Sequence, residues 1–173
     1  PVLYGQVQEM ALASGLHFTN SALEVLRPYE TTSTQSTDLF LLIVLEGLVR
    51  LRVAQQEYVL KAGMGLTTSL SECEALSACH QAKQQLRTVT VALDTRATSS
   101  KQPASWLASH FNLPVGPATR IWPLPRHLLA ILQQLKGHEE SHLTQQRLFI
   151  EGIALQLVAY ALEPEPVLES ARV

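Results

Sequence analysis

The chain has only two cysteines and ten aromatic residues in 173 positions. No segment approaches the roughly 18 apolar residues that a membrane-crossing helix needs. The first residues, PVLYGQVQEM, lack the basic-then-apolar profile of a secretory leader. Together these absences point to a cytoplasmic chain without a membrane anchor, in which Cys73 and Cys79 are free thiols rather than a disulfide. Basic residues are also scarce and scattered. Thirteen Lys and Arg stand against fifteen Asp and Glu, a net charge of −2, and no cationic stripe marks a nucleic-acid surface. The start at a proline instead of methionine suggests an excised or processed piece of a longer protein.

Apolar residues are abundant, at 46% with 16% charged, which is the composition of a globular chain with one well-buried core. From Gly15 to about Leu93 their period is that of strands. LFLLIVL (39–45) is a continuous apolar run that leads through Glu46-Gly47 into LVRLRV (48–53), and the pair reads as a hairpin with a glycine turn. EYVL (57–60) follows a polar break, Lys61-Ala62-Gly63 turns into MGLTTSL, and LRTVTVAL (86–93) places Val89, Val91 and Leu93 opposite Thr88, Thr90 and Ala92. Short strands at this spacing predict an antiparallel sandwich or barrel.

Beyond Asp94 the period becomes helical. PASWLASHFN predicts a short helix over 103–112. The stretch NLPVGPATRIWPLP, with four prolines, predicts an extended connector. Leu124, Leu128, Leu132 and Leu135 mark a helix ending at Lys136-Gly137. A longer helix over about 143–162 has two apolar stripes, so both must be covered. One carries Leu143, Ile150, Ala154, Leu157 and Ala161. The other carries Leu148, Leu155, Val158 and Leu162. A homodimer is expected through this helix, with Leu143, Ile150, Ile153, Ala154, Leu157 and Ala161 at the interface, and Gly152 allows a second backbone to approach.

The order RPYETTST, LFLLIVLEGLVRLRV, YVLKAGMGLTTSL, LRTVTVAL, IWPLPRHLLAILQQL and RLFIEGIALQLVAYAL resembles the amino-terminal effector and dimerisation domain of AraC-type transcription regulators. Its nearest likeness is to the siderophore-responsive branch that governs pyochelin and yersiniabactin uptake. The resemblance spans roughly residues 15 to 163. It implies one regulatory domain: a cupin-like antiparallel β-barrel over about 15–93, a short helix over 103–112, and a C-terminal antiparallel helix pair over 124–163. It further implies a small-molecule effector such as a ferric siderophore, homodimerisation through the last helix, no catalytic role, no cofactor, and DNA contact only through a helix-turn-helix domain beyond residue 173.

Three other chemistries have weaker support. His138 to His142, HEESH, fits H-E-x-x-H, in which two histidines one helical turn apart hold zinc while the glutamate activates water. A zinc protease carries that motif inside a buried helix, whereas here Gly137 precedes it and two glutamates fill a polar helix connection. A small cupin-type metal-dependent enzyme needs several His and carboxylate ligands on adjacent strands; only His17 and His80 occur among the strands, and there is no H-x-H. Cys73, Cys79 and His80 lack the spacing of a zinc ribbon. For effector binding, Arg50 and Arg52 are either the solvent face of a half-buried strand or a cation pair at a barrel mouth. Trp106 and Trp122 are either plugs between barrel and helices or ligand contacts.

Overall fold

In a computed structural model, residues 1–71, 74–93, 107, 118–135 and 143–163 are described. Among the described residues the elements run β1 (Leu3–Ala11), β2 (His17–Val25), β3 (Tyr29–Ser33), β4 (Thr37–Glu46), β5 (Leu48–Val53), β6 (Gln56–Lys61), β7 (Met64–Leu70), β8 (Leu76–His80), β9 (Gln84–Leu93), β10 (Arg120–Pro123), α1 (Arg126–Gln134) and α2 (Leu143–Ala161). They form two antiparallel sheets, ordered β1-β2-β9-β4-β7-β10 and β3-β8-β5-β6. Within them, β2-β9-β4-β7 and β3-β8-β5-β6 have the strand order of a jelly roll, with consecutive strands repeatedly split between the sheets.

The expected barrel is therefore corrected to two open sheets. The Glu46-Gly47 and Ala62-Gly63 turns, read as hairpins, are corners: β4 pairs with β7 and β9, while β5 pairs with β6 and β8. Gly47 and Gly63 have φ of 88° and 84°, a left-handed conformation that glycine adopts without a Cβ penalty. At Gly47 a Cβ would also lie 2.5 Å from the Gln85 carbonyl oxygen. These corners carry the chain from one layer to the other, so the ladder stops instead of closing. Strand β1 lies before the expected start at Gly15, and β10 lies within the expected connector, where it pairs with β7 from Arg120↔Thr67 to Pro123↔Met64.

The central strands of the six-stranded sheet are covered on both faces. Leu39, Leu41, Ile43 and Leu45 of β4 join Val89, Val91 and Leu93 of β9 in a core with Leu128, Leu132, Ile150, Ala154 and Leu157 of the helices. The alternate residues Leu42 and Val44 join Val49, Leu51, Leu60, Leu66 and Leu86 in a second core between the sheets. A strand packed on both faces needs no polar alternation, which is why LFLLIVL is continuous. Strand β5 has only one buried face: Val49, Leu51 and Val53 turn inward and Arg50 and Arg52 outward.

α2 places Ile150, Ile153, Ala154, Leu157, Val158 and Ala161 against the sheet. Five of the residues expected at the dimer interface, Ile150, Ile153, Ala154, Leu157 and Ala161, are buried within the chain's own core. The side chain of Leu143 lies outside the described residues. The outward face instead carries Leu148 at 69% exposure and Phe149 at 52%. Both charged residues of α2 are tied to the β1–β2 turn. The Glu151 carboxylate accepts the backbone N–H of Ala13 at 2.8 Å and of Ser14 at 3.0 Å, and the Arg147 guanidinium donates to the Ala11 carbonyl at 2.9 Å. His127 of α1 rests on Tyr160 of α2, with ring centroids 5.7 Å apart. Among the described residues no helix is long and apolar enough to cross a membrane.

One turn carries local strain. β5 and β6 are joined by Ala54 and Gln55 at φ of 47° and 69°, the two-residue geometry that Asn-Gly fits best. Each non-glycine residue there costs on the order of 1 kcal/mol. The double substitution Ala54→Asn, Gln55→Gly is expected to raise stability in urea denaturation by about 1 kcal/mol; no gain would mean that the turn relaxes at no cost.

Candidate functional site

The space between the sheets has two unlike halves. Across the inner face of the larger sheet one rung of paired residues runs Thr19, Thr90, Leu42, Leu66 and Ile121, and the next runs Ser21, Thr88, Val44 and Met64. On β4 and β7 the rungs are apolar. On β2 and β9 they present hydroxyls. The facing sheet repeats the division, with Thr31, Ala78, Leu51 and Tyr58 along one rung. Strands β3 and β8 adjoin β2 and β9 in the chain through residues 26–28 and 81–83, and Lys83 N–H donates to the Val25 carbonyl at 2.7 Å. The hydroxyl-bearing strands are thereby held on one side of the sandwich.

That side is open to solvent. Thr19, Ser21, Ala78, Thr90 and Ala92 are half-buried and Thr31 is exposed, although all face inward. Tyr29, and Phe40 paired with Ala92 of β9, are half-buried and pack against the inner core, so their rings meet both protein and water, whereas Tyr58 lies on β6 at the opposite edge. The Tyr29 and His80 rings stack with centroids 4.5 Å apart and planes 23° apart. His80 Nδ1 is buried without a hydrogen-bond partner. Burial pulls the His80 pKa below its ordinary 6.5 and pushes the Tyr29 phenol above its ordinary 10.0, since desolvation disfavours the charged form of each. At neutral pH this end of the space carries no charge from either ring. None of the described inward-facing strand positions carries Lys or Arg. The surface suits a ligand with aromatic faces and neutral hydrogen-bonding groups.

The sequence-derived candidates do not converge on this space. Arg50 and Arg52 lie on the outer face of β5, where Arg52 Nη2 pairs with Glu57 Oε1 at 2.9 Å and both side chains are more than half exposed. Trp122 is 6% exposed and lies on the helix side of the larger sheet. Its indole N–H donates to Thr67 Oγ1 at 2.7 Å, and its ring passes so close to Gly65 that a Cβ there would be 2.8 Å away. It is placed as a plug between sheet and helices. Trp106, the short helix around it apart from buried Leu107, Cys73 and the HEESH stretch lie outside the described residues. Cys79 is an exposed free thiol on β8. Among the described residues no three His, Cys, Asp or Glu side chains group as metal ligands.

Tyr29, Thr19, Phe40 and His80 were missed by sequence reasoning as a set. The usable signal was the alternation of Thr88, Thr90 and Ala92 opposite Val89, Val91 and Leu93. Threonines on the inner face of a buried strand mark a lining that apolar packing does not fill.

A family profile, the regulatory protein PchR N-terminal domain, matches residues 4–172. The chain belongs to this family of N-terminal domains of AraC-type regulatory proteins. A search of curated proteins found no match. Among solved structures, the chain is similar to the YhaK protein of Escherichia coli at 14% identity and TM-score 0.45, over 70% of this chain and 45% of that one. It is similar to a Cupin 2 conserved barrel domain protein from Salinispora arenicola at 12% identity and TM-score 0.43, over 62% and 85% of the two chains. It is also similar to the Cupin_2 domain of an XRE family transcriptional regulator from Enterobacter cloacae at 10% identity and TM-score 0.41, over 56% and 100%.

Because His80 has a lowered pKa when folded, the unfolded chain holds the extra proton in the window between that value and 6.5. The contribution to stability is complete above the window and is lost as pH falls through it. His80→Gln should narrow the difference in melting temperature between pH 7.5 and pH 5.0. An unchanged difference would show that another group governs it.

Proposed function

We propose that this chain is the effector-sensing and dimerisation domain of an AraC-type transcription regulator, non-enzymatic, and that its effector is a ferric siderophore of the phenolate or catecholate class. Family membership supports the regulator. The observation that carries the effector site is the half-open space between the sheets, with hydroxyls on β2 and β9 and the half-buried rings of Tyr29 and Phe40. A ferric chelate arrives with its metal already bound, so it needs stacking surfaces and neutral hydrogen bonds rather than protein ligands to iron. The strand cations Arg50 and Arg52 bear on an anionic chelate only if it reaches around the outer face of β5. Sensing requires that the ligand favour one arrangement of the domain over another, and DNA contact belongs to a helix-turn-helix domain joined to this one.

The homodimer is proposed through the outward face of α2, where Leu148 and Phe149 are exposed beside Gly152, Leu155 and Ala159. Both charged residues of the helix are held elsewhere by the β1–β2 turn, so the outward face pairs with a second copy without burying a charge.

Titration with a panel of ferric phenolate and catecholate siderophores should quench tryptophan fluorescence and raise the melting temperature. Thr90→Leu, which fills the space, should weaken binding at least about tenfold, while Arg52→Ala decides whether the outer cation takes part. Binding that survives Thr90→Leu but is lost in Arg52→Ala would move the site to the outer face, and no response across the panel would sink the ligand class.

For the dimer, sedimentation of Leu148→Glu should give monomer with its melting temperature kept. Leu157→Glu should instead unfold the chain, because it buries a charge in the sheet–helix core. A parent that sediments as monomer at micromolar concentration overturns the dimer.

A further inference from the structure

The most exposed large apolar side chains among the described residues gather at one border of the molecule. Tyr4 at 75% and Val7 at 55% stand on β1, and Leu148 and Phe149 stand in the first half of α2. The helix spans the larger sheet from one edge strand to the other. Near its start Arg147 reaches the Ala11 carbonyl at the end of β1. Its last turn is met by Arg120 of β10, whose guanidinium donates to the Ala161 carbonyl at 2.8 Å. Leu148 and Phe149 are therefore at the β1 side, and the apolar strip continues from helix to strand edge.

β1 is also the least protected sheet edge. Among the described residues the edges are β1, β10, β3 and β6. β10 has four residues and ends on Pro123, β3 has five, and β6 carries Glu57 and Lys61 in its six. β1 runs for nine residues with Glu9 as its one charge, and it pairs with β2 without a register break. A long unpaired edge lacking proline and lysine is a template for another strand. Val2 turns its carbonyl to the β2 side, where the Leu26 and Arg27 N–H groups donate at 3.0 and 3.1 Å. Backbone groups alternate in direction along a strand, so Leu3, Gly5, Val7, Glu9 and Ala11 turn theirs to the free edge. The Arg147 contact at the Ala11 carbonyl fits that alternation.

We infer that β1 pairs antiparallel with β1 of a second copy about a two-fold axis at Val7, so that the strand edge and the first half of α2 form one continuous dimer surface. The strand is suited to meeting itself. In that register Val7 opposes its own copy, Gln6 opposes Gln8, Tyr4 opposes Met10, Leu3 opposes Ala11, and Glu9 falls opposite Gly5 instead of another carboxylate. The whole strand is then paired, each edge-facing residue meets an edge-facing residue, and like charges do not face each other. A strand edge by itself is a small interface, so it joins two copies only together with the helix face. The pairing rests on the dimer reading under Proposed function and adds to it the strand and its register.

Amide exchange read residue by residue in the full chain tests the pairing. In the dimer the Gly5, Val7 and Glu9 amides should exchange at least about tenfold more slowly than in the Leu148→Glu monomer. Gln6 and Gln8, whose amides face β2, should differ little between the two. Val7→Lys sets two cations opposite each other and should weaken dimerisation at least about tenfold in sedimentation, without unfolding the chain, since Val7 is more than half exposed. In a Cys73→Ser, Cys79→Ser background, Val7→Cys should cross-link across the axis on mild oxidation, because directly paired strands bring Cα atoms within reach of a disulfide. Adding Leu148→Glu should abolish that cross-link. A dimeric parent with fast exchange at Gly5, Val7 and Glu9 and no cross-link overturns the inference and leaves the helix dimer standing. Slow exchange at these amides in the Leu148→Glu monomer as well would mean that another segment of the same chain covers the edge, which also overturns it. A monomeric parent removes the dimer reading, and the strand pairing with it.

Discussion

The fold depends on a β-sheet buried on both faces. Once β4 and β9 lie at its centre, their alternate side chains must meet two different partners, a second sheet on one side and two helices on the other. The separation is visible on a single strand, where Leu41 and Ile43 belong to the helical core and Leu42 and Val44 to the core between sheets. Its run from Leu39 to Leu45 is apolar at every position and cannot slip by one residue without exchanging the two sets of packing partners. The helices are therefore not an appendage to a finished sandwich, because without them Leu39, Leu41, Ile43, Leu45, Val89, Val91 and Leu93 would face water. Burying each such side chain contributes about 1.5–3 kcal/mol.

The same constraint explains the placement of charge on α2. A helix apolar nearly all round has no polar stripe to define which side turns outward. Its orientation is set by Glu151 and Arg147 on the β1–β2 turn and by Arg120 at its end. These are hydrogen bonds between charged side chains and backbone groups, which are stronger than neutral ones. They also leave the outward face free of charge.

The site is the reverse case. Between β2 and β9 on one sheet and β3 and β8 on the other, hydroxyls and small side chains stand where packing would call for leucine and valine. The stacked Tyr29 and His80 rings are held neutral by burial. This inner face combines apolar walls with a few polar groups, the composition that ligand-binding spaces have.

Much of the architecture was legible in the order of residues, and for a physical reason. The period of two in LRTVTVAL, the unbroken LFLLIVL and the spacing of leucines from Leu124 to Leu135 follow from which side chains must leave water, a property of the local string. Tertiary structure decided what each buried face meets. The stripe of Ile150, Ala154 and Leu157 is equally suited to a second subunit and to the chain's own sheet, and only the third dimension assigns it to the sheet. Gly47 and Gly63 permit a sharp turn in either a hairpin or a corner, and the choice belongs to the long-range pairing of β4 with β9. β10 in its proline-rich setting, and Tyr29 beside His80 across about fifty residues, owe their roles to partners that no local pattern encodes.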